Sequence, residues 1–358
     1  MQNNLVILPS FSLIPNKLVS YNSIFVKDKA TNELKRFSEI RKTKAIRFEN
    51  VLKENKITKS FHNWEISKNA YRNLKGKISW LYYLANSNKI EMENKKVIYN
   101  FKMAFITLTL PAKQKHNTQL ITNECLNQFI TELRDKFNMR NYVWRLEFQK
   151  NGNVHYHIAT DAFIPYTEIR KIWNRQMYKL GYVQEYQKKF SGMTLLEYNE
   201  LYNKESKIEF NKIKERYAKA KEANWANPPT VDVKSVVSNK SIANYISKYF
   251  SKGDNGGIIK NELDNEENSF GLRLWFCSRS LSKLSKISNY CEAVKYDIFA
   301  IVSYAKSKLT LYNRYSSSTY FEIMSMPKKA KKWIDKILKS YSVDNGYVPW
   351  NLSSGGYG

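Results

Sequence analysis

Residues 144–158 read WRLEFQKNGNVHYHI: Trp144-Arg145-Leu146-Glu147-Phe148-Gln149, a Lys150-Asn151-Gly152 turn, then Asn153-Val154-His155-Tyr156-His157-Ile158. Apolar and polar residues alternate on both sides of the turn, the period of a half-buried strand, so the stretch predicts an antiparallel hairpin. Two loops are open to it. A two-residue Asn151-Gly152 loop sets Glu147 opposite Tyr156 and turns the carboxylate away from both imidazoles. A three-residue loop, with Gly152 in the left-handed position of a bulge, sets Glu147 opposite His155. Glycine at the third position suits the longer loop. It also gives a consistent alternation, with Trp144, Leu146 and Phe148 buried and Arg145, Glu147 and Gln149 on the other face.

The whole chain holds four histidines, so an i, i+2 pair is an accident on the order of a few in a hundred. In a strand His155 and His157 project from the same face. Two imidazoles and the Glu147 carboxylate leave open positions on a divalent cation, an arrangement that polarises a substrate oxygen. Two solvent-facing histidines on an edge hairpin would leave the same trace in the sequence.

Outward from the hairpin, FITLTLP (residues 105–111) alternates Ile106, Leu108 and Leu110 with Thr107 and Thr109 before Pro111 ends the strand. A helix is expected at 123–137. Another is opened by Thr167 as N-cap and closed near Gly181; its stripe of Ile169, Ile172, Trp173, Met177 and Leu180 reads as core. Thr194 and Glu197 have capping-box spacing before a long charge-laced helix that Pro228 and Pro229 must stop. Strands at 230–237 and 272–277 flank a helix at 241–252 and an acidic loop at 254–269. The order predicts an α+β fold, a central antiparallel sheet flanked by helices. Beyond it, basic helical stretches at 38–56 and 67–86 and a basic amphipathic helix at 328–341 lead to the expectation of mostly helical, basic flanking regions. The segments expected are 1–100 (basic, DNA-binding or accessory), 101–290 (catalytic, with a long helical insertion near 194–227) and 291–358 (basic, with a flexible tail).

In SIANYISKYFSK (241–252), Tyr245, Lys248, Tyr249 and Lys252 share one helical face, beside an apolar stripe of Ile242, Ala243, Ile246 and Phe250. A phenol with a pKa near 10 needs a cation or base beside it to act as a nucleophile at neutral pH. The pattern fits two phenols with two ammonium groups to stabilise phenolate and phosphate. Amphipathic aromatics on a basic surface, in a chain with 25 Tyr, would produce it too.

The chain has 358 residues with 59 Lys plus Arg against 32 Asp plus Glu, a formal net charge of +27. A basic excess of that size calls for a polyanionic partner, nucleic acid first and a membrane surface second. An apolar content of 42% excludes disorder as the main theme. Three Cys (Cys125, Cys277, Cys291) without CxxC spacing argue against a disulfide framework or a thiolate zinc site and for a reducing compartment. No stretch reaches the roughly 18 apolar residues of a membrane span. No GxxxxGK[ST] phosphate loop occurs, so ATP hydrolysis is not expected.

In series, FITLTLP, EFQKNGNVHYH and YISKYFSK resemble the HUH endonucleases, and more narrowly the two-tyrosine rolling-circle replication initiators of single-stranded DNA phages and plasmids. Tyr156 is bulkier than the aliphatic residue usual between the two histidines. The resemblance implies that Glu147, His155 and His157 hold Mg²⁺ or Mn²⁺ and that Tyr245 or Tyr249 attacks DNA, with Lys248 and Lys252 assisting. It implies metal-dependent nicking and joining of single-stranded origin DNA through a 5′-phosphotyrosine, in the cytoplasm of a bacterial host that supplies polymerase and helicase. Thr107, Thr109, Arg145, Arg273 and Arg279 are candidate DNA contacts. An HUH-type transposase and a non-catalytic basic nucleic-acid-binding protein are the alternatives.

Overall fold

The computed structural model describes residues 5–27, 34–36, 66–92, 97–203, 208–236, 273–290, 308–313, 316–321, 323 and 326–351. Contacts divide the chain into two units, residues 1–60 with 280–348 and residues 61–279 with 349–358.

The first unit opens with the hairpin of β1 (Leu5–Ile14) and β2 (Lys17–Lys27), whose ladder runs from Leu5↔Val26 to Ile14↔Lys17. The short β3 (Leu34–Arg36) pairs with the far end of β2.

The second unit begins with α1 (Lys68–Leu84), capped by Ser67, whose hydroxyl accepts the Ala70 N–H at 3.2 Å. The helix is anchored by the buried stripe Leu74, Ile78 and Leu81. A small hairpin, β4 (Asn88–Met92) with β5 (Val97–Phe101), leads into β6 (Met103–Leu108). Next comes α2, a continuous helical run of Thr118–Leu120, a π-helical turn Ile121–Leu126 and Asn127–Phe137. The hairpin of β7 (Tyr142–Phe148) and β8 (Val154–Thr160) precedes α3 (Tyr166–Lys179), α4 (Tyr182–Ser191), α5 (Leu195–Asn203) and α6 (Phe210–Glu222). The strands β9 (Val231–Val236) and β10 (Trp275–Cys277) complete an all-antiparallel five-stranded sheet in the order β10-β7-β8-β6-β9.

Strand alternation decides what this sheet buries. Ile106, Leu108, Trp144, Leu146, Tyr156 and Ile158 point to one face and join a core with Phe129 and Ile130 of α2 and Ile169, Ile172, Trp173 and Met177 of α3. Aromatic edges lock that layer: Tyr156 lies 6.1 Å from Trp173 and 6.3 Å from Trp144 between ring centroids, and Phe129 lies 5.6 Å from Trp173. The protein is thus α+β, with a central antiparallel sheet flanked by helices.

The chain then returns to the first unit through α7 (Arg279–Lys283), β11 (Ile287–Tyr290), β12 (Lys308–Asn313), β13 (Ser316–Phe321) and α8 (Lys328–Asp344). Its sheet runs β11-β1-β2-β13-β12, with β3 attached to β2. Both chain flanks, expected to be mostly helical and separate, therefore share one sheet, and residues 61–100 group with the hairpin. Long-range strand pairing sets both boundaries, and local periodicity does not register it. Within α8, Ala330, Ile334, Leu338 and Ser342 are buried, in keeping with the amphipathic reading.

Four local expectations shift. The helix expected at 123 starts at Thr118, because Asn117 Oδ1 accepts the Leu120 N–H at 2.7 Å and caps it. Pro165, not Thr167, occupies the N-cap position of α3, and Thr167 lies in its first turn. The strand expected at 272–277 is Trp275–Cys277. The long helix expected after Thr194 is instead α5 and α6 folded on each other. A straight helix at about 1.5 Å per residue would hold Tyr198 and Tyr217 nearly 30 Å apart, yet their ring centroids are 5.5 Å apart. Together with Tyr186, Phe190, Ile213 and Trp225 they form a separate small core. The capping box itself is present: the Thr194 N–H donates to Glu197 Oε2 at 2.7 Å, and the Glu197 N–H donates to Thr194 Oγ1 at 3.3 Å. The helices expected at 38–56 and 241–252, the loop at 254–269 and the tail beyond 351 lie outside the described residues.

Candidate functional site

The β7–β8 turn takes the three-residue form. Gly152 has φ +81° and its N–H donates to Gln149 O at 2.9 Å, while the Gln149 N–H donates to Asn153 O at 2.8 Å. Glu147 consequently pairs with His155, and Arg145 with His157. The hairpin tip is held from outside by the segment after β6. Asn153 Oδ1 accepts the Gln114 N–H at 2.8 Å, Asn153 Nδ2 donates to Ala112 O at 2.9 Å, and Gln114 Oε1 accepts the Val154 N–H at 2.8 Å. Tyr182 in turn holds that segment, its buried hydroxyl accepting the N–H groups of Lys115 and His116 at 3.2 Å each.

Strand registers carry the pattern across the sheet. Trp275, Arg145, His157, Thr107 and Asp232 are successive partners on β10, β7, β8, β6 and β9, so one residue from each strand forms a single row on the face opposite the apolar core. The bulky Tyr156 between the histidines points the other way. Its hydroxyl lies 2.7 Å from Thr122 Oγ1, which donates its own hydrogen to Thr118 O at 2.8 Å, so Tyr156 is the donor of the pair.

At the centre of the row His157 is 1% exposed. Its Nε2 lies 3.3 Å from Glu147 Oε2, and its Nδ1 lies 3.2 Å from Thr107 Oγ1. A carboxylate only accepts, so Nε2 carries the hydrogen here and Nδ1 accepts from the threonine hydroxyl. The His155 ring centroid is 4.6 Å from that of His157. Glu147 Oε1 faces Arg145 NH1 at 3.3 Å. Burial pulls the Arg145 guanidinium below its ordinary pKa, and the Glu147 carboxylate pushes back; arginine nevertheless stays charged at any physiological pH.

The donor set fits a divalent cation that accepts mixed nitrogen and oxygen ligands. Glu147 Oε1 is buried and takes no hydrogen bond among the described residues, leaving an acceptor available to a cation. Among the described residues no three His, Cys, Asp or Glu side chains already surround a common point, because the Glu147 carboxylate rests against His157 and Arg145. Binding through Nε2 of His157 would move its hydrogen to Nδ1, and Thr107 Oγ1 can accept it there, so the same hydroxyl serves both tautomers.

The other candidates are placed as follows. Thr109 donates its hydroxyl to Thr230 O at 3.1 Å and closes the β6–β9 ladder. Arg145, considered as a DNA contact, is buried at 7% and paired with Glu147. Arg273 is exposed, its guanidinium 5.2 Å from the Phe276 ring centroid, and Arg279 is exposed at the start of α7. Tyr245, Lys248, Tyr249 and Lys252 lie outside the described residues. Gln114, Asn153 and Tyr182 left no trace in the sequence pattern, since their partners are far along the chain. The free thiols of Cys125 and Cys277 are buried, and burial pushes Cys125 up to about 12. Among the described residues no helix is long and apolar enough to cross a membrane.

Residues 103–254 match the family model for the replication-associated proteins of the ORF2 and gene-2-protein type. The matched span runs from β6 through the hairpin and includes the Tyr245–Lys252 stretch. Over that span the likeness is to replication proteins, and it supports a replication initiator that works on DNA. Comparison with curated proteins and with solved structures gives no match.

Proposed function

We propose that this protein starts rolling-circle DNA replication by nicking single-stranded origin DNA and later rejoining it. The observation that carries this reading is the Gly152 turn, which brings Glu147 across the hairpin onto the face of His155 and His157. These three residues would hold Mg²⁺ or Mn²⁺, which when bound supplies Lewis acidity at a non-bridging phosphate oxygen. The protein's own residues do the rest. Thr107 fixes the plane of the His157 ring. Arg145 neutralises Glu147 and keeps a positive charge beside the scissile phosphate. Tyr245 attacks phosphorus in line: a phenolic O–P bond forms, the bond to the 3′ oxygen breaks, the phenol's proton is lost to solvent and the 3′ oxygen takes one up. A 5′-phosphotyrosine and a free 3′-OH result. Lys248 and Lys252 stabilise phenolate and phosphate. Tyr249, one helical turn on, makes the second attack when the origin returns. The covalent link conserves the phosphodiester energy, so joining needs no ATP.

Incubating the full chain with origin-like single-stranded DNA and Mn²⁺, then running a denaturing gel, tests this. A covalent protein–DNA band that maps by mass spectrometry to Tyr245 or Tyr249 supports it. Absence of any adduct, or an adduct on a tyrosine outside this pair, overturns it.

A further inference from the structure

The histidine row has a neighbour that the proposed chemistry leaves unused, the helix α1. Two electrostatic contacts fix its direction. Tyr71 acts on Arg145, and Lys77 acts on Cys277, whose strand partner on β7 is Val143. Six residues of helix span about 9 Å and two residues of strand about 7 Å. Helix α1 therefore runs alongside β7 in the opposite direction, over the face that carries Arg145, and its N-terminal turn lies toward Glu147.

The helix is built for an anion. Lys68–Leu84 contains Lys68, Arg72, Lys75 and Lys77 and not one Asp or Glu. Tyr71 continues the anchoring stripe of Leu74, Ile78 and Leu81 at helical spacing, so it sits half-buried where helix meets sheet. Arg72 and Lys75 fall on an arc of about 60° next to that stripe; both are exposed, and among the described residues neither takes part in an ion pair. The Lys75 ammonium lies 5.3 Å from the Tyr71 ring centroid. Lys77, on the opposite flank, is half-buried, and desolvation holds its ammonium below the usual lysine range.

We infer that α1 is the second wall of the site, gripping the phosphodiester backbone of single-stranded DNA next to the phosphate at the histidine row, with Arg72 and Lys75 as the cations and Tyr71 setting the strand beside Arg145. This rests on the reading that the row acts on DNA. The side-chain types fit a flexible single strand: two mobile cations on one arc can follow successive phosphates, and the phenol offers both a ring for a base to stack on and a hydroxyl for a phosphate oxygen.

Anisotropy of a fluorescent 30-nucleotide oligothymidine, titrated with full-length protein in EDTA across a salt series, tests the inference apart from any metal chemistry. Arg72→Gln/Lys75→Gln should bind about tenfold more weakly near 0.1 M salt, and its slope of log affinity against log salt should shrink by about 1.4, two single-strand phosphate contacts. Tyr71→Phe should lose about threefold or less in affinity, and Tyr71→Ala more. Lys75→Gln alone, with a slope change of about 0.7, serves if the double variant fails to fold by circular dichroism. A folded double variant with wild-type affinity and slope overturns the inference, even if the wild-type chain forms its tyrosine adduct. A chain that binds through α1 yet never forms an adduct overturns the nicking proposal and leaves this one standing. If the double variant instead loses sedimentation with phosphatidylglycerol vesicles while its DNA slope is unchanged, α1 faces lipid and the inference is wrong.

Discussion

The two faces of the five-stranded sheet are made by alternate residues of the same strands, and they do opposite work. On one, Trp144, Leu146, Tyr156 and Ile158 pack under α2 and α3. On the other, Arg145, Glu147, His155 and His157 are linked by short polar contacts. The site therefore costs little extra structure. Packing Tyr156 and Ile158 into the core forces His155 and His157 outward together, since a strand cannot bury one without turning out its neighbour. A change on either face should then be readable as loss of chemistry or as loss of fold, but rarely as both.

The largest separation is expected from the histidines. His155→Ala and His157→Ala should each lower adduct formation by about a thousandfold or more, while DNA retention in EDTA stays close to wild type; a denaturing gel beside an anisotropy titration checks both. EDTA should reproduce the loss in the wild type, and Mn²⁺ should restore it. If nicking survives metal-dependently in the double variant, the row is not the metal centre.

Tyr156→Ala takes the opposite face and should cost about 4 kcal/mol of stability, measured by urea unfolding. Tyr156→Phe, which removes only the hydrogen bond to Thr122, should cost about 1 kcal/mol and leave nicking intact. A Phe variant that is stable but inactive would break the division of labour between the faces.

Thr107→Val keeps the shape of the side chain and removes the Nδ1 partner of His157. Calorimetric titration should show Mn²⁺ affinity reduced by about tenfold, with the melting temperature nearly unchanged. An unchanged affinity would mean that His157 is oriented by Glu147 alone.

The smallest effect belongs to the turn. Nothing lies within 4 Å of a Cβ built at Gly152, so only the φ of +81° opposes a side chain there. Gly152→Ala should cost about 1–2 kcal/mol without displacing Glu147 from His155, so activity at low temperature should survive. Loss of activity in a folded variant would show that the register depends on this one dihedral.

How legible each region was depends on how far its determinants lie apart in the chain. The hairpin was readable almost to the residue, because alternation and a glycine three places into the loop are contained within 15 consecutive residues. The Thr194–Glu197 cap was legible for the same reason. The folding back of α5 and α6 was not: Tyr198 meets Tyr217 and Trp225 only after the chain reverses, and charge periodicity continues through such a reversal without a signal. The flanks were least legible of all. Their sheet joins Ser10 to Tyr290 and Lys17 to Tyr320, pairings that no window of sequence spans.

The sequence alone determined that a carboxylate and two imidazoles share one strand face, that the chain carries a large excess of positive charge, and that a Tyr-Lys stretch follows downstream. Those are consequences of period-2 geometry, turn chemistry and composition, all of them local. Only the tertiary structure decided that Thr107 supplies the second hydrogen bond to His157, that Arg145 is buried against Glu147 instead of standing open to solvent, and that α1 runs along β7. These depend on which strand lies beside which and on what covers them, and that is settled by burying the whole apolar surface at once.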